Sequence, residues 1–161
     1  MANTVAHWRV PLCLLFSVCA SAAVDPRGLR PRALVAADRL IHCKYDTTSG
    51  TWNGEALWQS GNSLEGLANL AIVEANATLY AEVFWNSYLR TAPVVDQCFD
   101  DHQWWLLGWV RAYEATGEML YLQRAAQVFD FVAEYGWTSQ CGGGILWCPE
   151  QPGTNGYKNA V

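Results

Sequence analysis

Residues 99–135 read FDDHQWWLLGWVRAYEATGEMLYLQRAAQVFDFVAEY, and their spacing decides the fold. A helix is predicted from just after Asp100-Asp101 to about Thr116, and Gly117 is its natural stop. Trp105, Trp109, Ala112 and Tyr113 fall on one face of it. Trp104, Leu107 and Val110 are apolar too, so this helix should be buried almost all round. Met119–Tyr135 follows as an amphipathic helix. Leu122, Ala125, Ala126, Phe129 and Val132 are expected to face inward; Gln123, Arg124, Gln127, Asp130 and Glu134 are expected to face water.

Helical hairpins continue upstream. Pro26 and Pro31 punctuate an extended lead-in, and Ala33–Tyr45 carries Leu34, Ala37, Leu40 and Ile41 at helical spacing. Asp46–Gly54 reads as loop. Ser63 to about Ala75 places Leu64, Leu67, Ala68, Ala71 and Ile72 on one face, and Leu79–Leu89 forms a third helix after a break near Asn76. A faint repeat supports the pairing. Glu74-Ala75 leads to Leu79-Tyr80, and Glu114-Ala115 leads to Leu120-Tyr121, offset by 40 and 41 residues. A period near 40 with two helices per unit marks an α/α repeat or toroid, and no stretch alternates as a strand does. Alternate helices then run in the same direction. The start of the Ser63 helix, Trp58–Asn62, and Asp100-Asp101 should share one rim, with Tyr157-Lys158-Asn159 opening the next inner helix there.

Composition narrows the function classes. The 161 residues are 52% hydrophobic and 13% aromatic, which excludes whole-chain disorder. Ten Lys+Arg stand against 15 Asp+Glu, which argues against nucleic acid as a partner. Nine Trp point to a large apolar core, a binding cleft, or both. Residues 1–22 have the layout of a secretory signal: Arg9 without acids, the 11-residue apolar run Val10–Ala20, and small residues at Ala20-Ser21-Ala22. A spanning helix would need about 20 apolar residues, and no segment offers them. Residues 23–161 are then the folded part, with Cys43, Cys98, Cys141 and Cys148. Of the three possible pairings, Cys43–Cys98 with Cys141–Cys148 is preferred; free buried thiols are the alternative. No CxxC occurs and His42 and His102 lack partner spacing, so no metal or other cofactor is implied. Asn76-Ala77-Thr78 is a candidate glycosylation site.

Few residues could carry chemistry. Asp100 and Asp101 read first as helix capping, Asp100 with Gln103 making an Asp-x-x-Gln box. The alternative is a carboxylate pair for glycoside hydrolysis, with Phe99, Trp104 and Trp105 desolvating one acid. Adjacent helical residues diverge by about 100°, so only an irregular helix start could aim both into one cleft. Trp52, Trp58, Trp137 and Trp147 lie in or beside loops and could stack on sugars, although packing suits any single one better. Gly142-Gly143-Gly144 is no phosphate loop, and no GxSxG occurs.

In combination, the tandem Asp followed by Trp104-Trp105, the Cys-Gly-Gly-Gly loop, Tyr157-Lys158-Asn159-Ala160 and Trp58-Gln59-Ser60-Gly61-Asn62 resemble glycoside hydrolase family 76, the α-1,6-mannanases. The resemblance covers roughly residues 36–161. It implies an all-α fold, an incomplete (α/α)6 toroid made of helical hairpins, acting on α-1,6-linked mannan or a mannose-bearing glycan by retaining hydrolysis or by transfer. It also implies Asp100 as nucleophile and Asp101 as acid/base. Trp58, Gln59, Asn62, Trp104, Trp105, Gly143, Lys158 and Asn159 are implied substrate contacts. Gln59 stands where the family has Asn and reaches further, and Cys98-Phe99 stands where it has Tyr.

Six hairpins at this period imply about 240 residues. The chain is therefore expected to be an N-terminal portion with roughly three hairpins, exposing apolar surface around Trp105 and Trp109. The other readings are a non-catalytic secreted mannan-binding or structural fragment, and a toroid acting on another polysaccharide.

Overall fold

A computed structural model describes residues 27–54, 58–94, 98–139 and 142–149, and the backbone of residues 158 and 159. The signal-peptide reading and Cys141 lie outside these residues. Five helices dominate: α1 Leu29–Lys44, α2 Trp58–Val73, α3 Ala81–Arg90, α4 Phe99–Thr116 and α5 Met119–Tyr135. Two small antiparallel sheets join them. One is β1 Tyr45–Asp46 with β2 Thr51–Trp52, and the other has the order β3 Trp137–Thr138, β4 Gly144–Leu146, β5 Lys158–Asn159. The expected helical fold, built of hairpins, is what forms, with a few short strands beside the helices. None of the described helices is long and apolar enough to cross a membrane.

Helix α1 starts four residues before the predicted Ala33. Pro31 sits in its first turn, where a missing N–H breaks no helical bond. Arg30 grips Glu74 through two contacts of 2.6 Å, tying the start of α1 to the end of α2. The predicted loop after α1 contains the β1–β2 hairpin. Trp52 packs there against Tyr45 with ring centres 4.8 Å apart, so it is a core residue and no sugar platform.

Helix α2 starts five residues before the predicted Ser63, so Trp58–Asn62 is its first turn. The cause is tertiary. Trp58 N–H, one of the orphan donors of a helix start, donates to Asp101 Oδ1 across the fold at 3.2 Å. Helices α2 and α4 are therefore parallel with adjacent N-termini, as the repeat predicts. Their backbones touch: a Cβ on Gly61 would stand 2.8 Å from Trp104 C and Trp105 N, and one on Gly108 would stand 2.9 Å from Gly61 O. The repeated motifs fall at equivalent places, Glu74 and Glu114 near the ends of α2 and α4, Tyr80 and Tyr121 at the starts of α3 and α5.

Helix α4 ends at Gly117 in the left-handed region, as predicted. It is buried on one face only: Trp105, Gly108, Trp109 and Ala112 are inside, and Leu107 is exposed. Trp109 stacks between Trp105 and Tyr121, with centroids 5.8 and 5.7 Å away. The two tryptophans expected to be left uncovered thus lie in the core. Apolar exposure falls instead at Leu107, Phe129 and Trp137, along a groove of ≈ 500 Å³ on the α4–α5 flank.

Helix α5 has the predicted bounds but a rotated buried face: Tyr121, Arg124, Ala125, Val128 and Val132. Phe129 and Ala126, expected inside, are exposed, Phe129 by 61%. Arg124, expected in water, is buried. It donates to Thr91 O at 2.8 Å and Tyr88 O at 3.2 Å, and lies 4.4 Å above the Tyr88 ring.

Two further expectations are corrected. Lys158-Asn159 opens no inner helix; it pairs as β5 with Leu146 and Ile145 of β4. Cysteine pairing is Cys98–Cys148, while Cys43 is free and exposed at the end of α1. β4 runs back to the start of α4 and delivers Cys148 to Cys98, a juxtaposition that sequence spacing does not carry. Asn76 is exposed in the turn between α2 and α3, its Oδ1 accepting from Thr78 N–H and Oγ at 3.1 and 2.8 Å.

Candidate active site

The site forms where three backbone starts and ends converge. Cys98 is the extended N-cap of α4, and no side chain caps the helix, so the Asp100–Gln103 box does not form. Instead, the Phe99 N–H donates to Trp147 O at 2.7 Å, and the residue before Phe99 is bridged to the residue after Trp147, Cys98 to Cys148. The end of β4 is thereby fastened to the first turn of α4. The β-sheet supplies the acceptor that a capping side chain would otherwise provide.

Asp100 and Asp101 both project from that turn. A carboxylate oxygen of each lies within 4.8 Å of the other, despite the divergence expected of adjacent helical residues. Different donors turn them. Asp100 Oδ2 accepts the Trp147 indole N–H at 3.0 Å. Asp101 Oδ1 accepts Trp58 N–H at 3.2 Å. Asp100 Oδ1 is buried with no hydrogen-bond partner among the described residues. Cys98 Sγ lies within the same 4.8 Å but is committed to the disulfide, so the cluster offers carboxylates and no thiolate.

The two acids sit in different surroundings. Asp101 is only 9% exposed. Burial, and then the neighbouring Asp100 charge, raise its pKa above the ordinary carboxylate range. Backbone donors at Trp58 and Cys98, and the nearby His102, pull the other way. His102 is buried beneath the pair, its Nδ1 2.9 Å from Cys98 O and its ring 5.0 Å from Phe131. A carbonyl only accepts, so Nδ1 carries the proton.

The structure brings together Asp100, Asp101, Trp58 and Trp147. Trp58 and Trp147 are about half exposed, and Trp137 more so. Trp104 is half-buried on α4, while Trp105 is 4% exposed and belongs to the core stack. Gln59 is exposed, and Asn62 lines a groove between α1 and α2. Gly143, at φ +98, lets the Trp137 indole close over it; a Cβ there would stand 3.1 Å from the ring. The backbone of Lys158 pairs with Leu146, next to Trp147 in the chain. Sequence reasoning named Trp147 only as a sugar platform and missed its bond to Asp100. Only the fold places these residues together, 47 positions apart.

The sequence pattern of glycosyl hydrolase family 76 matches residues 42–161. The chain belongs to that family. Among solved structures, the fold resembles a family 76 mannosidase from Bacteroides thetaiotaomicron, with a TM-score of 0.61 and 22% identity over 78% of this chain and 43% of that one. The chain thus spans less than half the length of that protein. A second similar structure is the Lin0763 protein from Listeria innocua, with a TM-score of 0.49, 24% identity, and 74% and 39% of the two chains covered. No curated protein matches the sequence significantly. At such identities, the structural likeness to family 76 speaks for the fold alone. The site's chemistry rests on its own geometry.

Proposed function

We propose that this family 76 chain carries the acid pair of a retaining endo-α-1,6-mannan hydrolase. The observation behind the proposal is the Asp100–Asp101 pair, with oxygens within 4.8 Å and unequal surroundings. Retaining glycosidases hold their carboxyl groups about 5–5.5 Å apart, whereas inverting ones leave room for a water at roughly 6.5–9.5 Å. Asp101, whose protonated form burial and the Asp100 charge favour, donates to the glycosidic oxygen as the C–O bond breaks. Asp100 attacks the anomeric carbon and forms the glycosyl ester. Water then gives its proton to Asp101 and its oxygen to the sugar, freeing Asp100. A sugar hydroxyl in place of that water gives transfer through the same intermediate.

Family membership supports a mannose-containing glycan as substrate, and the exposed Trp58 and Trp147 beside the acids suit sugar stacking. The apolar run before Ala22 supports secretion, as does the Cys98–Cys148 bridge, since such bonds persist in oxidising compartments. Asn76, exposed in its turn, then becomes a site for N-glycosylation, read as a mass loss on enzymatic deglycosylation.

The test is turnover of linear α-1,6-mannan, with the anomer of the first product followed by NMR. Oligosaccharides should appear with retained configuration. Asp100→Asn and Asp101→Asn should each lose on the order of 10³-fold or more in kcat. A wild-type chain that binds mannan without turning it over would overturn the hydrolase reading and leave a mannan-binding fragment.

A further inference from the structure

We propose that Trp147 is the positioning residue of Asp100, and that the Cys98–Cys148 bridge holds it in that role. This deepens the hydrolase reading and rests on it for the catalytic consequence, though not for the contact itself. Three anchors converge on one residue. The Trp147 indole N–H donates to Asp100 Oδ2 at 3.0 Å, its carbonyl accepts the Phe99 N–H at 2.7 Å, and its neighbour Cys148 is joined to Cys98. Leu146, preceding it, is buried, and its N–H donates to Gly136 O at 2.8 Å. The backbone on both sides of Trp147 is thus fixed to the element that carries Asp100. Its side chain has little freedom to move relative to that carboxylate.

The chemistry gives this bond a purpose. Two carboxylates within 4.8 Å repel when both are ionised, and the repulsion is relieved by one rotating away or by sharing a proton. A donor with no acceptor capacity, held rigidly against Asp100 Oδ2, opposes both outcomes. It fixes the orientation of the Asp100 carboxylate beside the more buried Asp101. Since 48% of Trp147 remains exposed, the same ring can meet a sugar while its N–H is engaged.

Trp147→Phe removes the donor and keeps an aromatic face. Its kcat on α-1,6-mannan should fall about 10- to 100-fold with KM within about threefold, the scale for losing an orienting partner. A residue serving only as a sugar platform would give the reverse, a raised KM with kcat intact, and that result overturns the inference. A second reading needs no turnover. In 15N-Trp-labelled protein, the indole cross-peak lost in Trp147→Phe should lie downfield, and it should move upfield in Asp100→Asn as a charged acceptor becomes neutral. A peak unmoved by Asp100→Asn overturns the contact. If wild-type chain is inactive while the peak moves, the hydrolase reading fails and the positioning contact stands. Paired replacement of Cys98 and Cys148 by Ser should reproduce part of the Trp147→Phe loss in kcat and broaden the indole peak. An unchanged peak and kcat would remove the bridge from the proposal.

Discussion

Two charged groups of this fold are taken out of water, and they are treated in opposite ways. Arg124, on α5, has both terminal nitrogens on backbone carbonyls and its guanidinium over the rings of Tyr88 and Trp109, with its Nε buried without a hydrogen-bond partner among the described residues. Burial lowers its pKa from the guanidinium range, but carbonyl dipoles and ring faces stabilise its charge. At the rim of α4, Asp101 is buried beside a second carboxylate, and one oxygen of Asp100 has no partner among the described residues. The cation cross-links helices. The acid pair places two like charges in one turn. The difference separates a charge offset by its neighbours from one whose neighbour adds to its cost.

Arg124→Met breaks the first half of the comparison. It leaves the carbonyls of Tyr88 and Thr91 without their donor while removing a buried charge. The expected net loss is roughly 2–3 kcal/mol, read from urea denaturation. The kcat should be unchanged wherever the protein remains folded. A variant as stable as wild type would show the guanidinium to be a passenger.

Gly61→Ala tests the other half through its support. The added methyl would meet backbone atoms of Trp104 and Trp105 at 2.8 Å, and backbone cannot yield as a flexible side chain would. Helices α2 and α4 must separate at the rim, lengthening the Trp58 N–H to Asp101 contact. About 1–3 kcal/mol should be lost, together with activity, whereas Arg124→Met loses stability alone. Retained activity would mean that Asp101 tolerates a looser contact from Trp58.

The contrast also explains what the sequence made readable. Helices α4 and α5 were found because their apolar periods are local and Gly117 marks the break. An arginine among polar residues is expected in water, whereas the acceptors of Arg124 lie 33 and 36 residues away. The start of α2 carries no local signal, because Trp58 N–H is capped from another helix and not by a neighbour. The partner of Cys98 is hidden for the same reason, since only the return of β4 brings Cys148 to it. The acid pair was visible as a motif, but its geometry was not. A periodicity argument makes adjacent residues diverge, and only the donors at Trp147 and Trp58 turn these two together.

The smallest expected effect gives the comparison its sign. Asp101 has its pKa raised in the fold, so the fold favours its protonated form. Its contribution to stability is fully present below the unfolded pKa and is lost as pH rises through the folded value. Above that value the ionised Asp101 therefore destabilises the rim. Asp101→Asn keeps a side-chain oxygen to accept Trp58 N–H and removes the charge. The variant should melt slightly above wild type at pH 7, and the gap should close as pH falls into the carboxylate range. Activity should move the other way: lost in the variant, and in wild type declining on an alkaline limb set by Asp101. A variant less stable than wild type at pH 7, by thermal melts across the same pH series, would place Asp101 with Arg124 among the charges kept for stability.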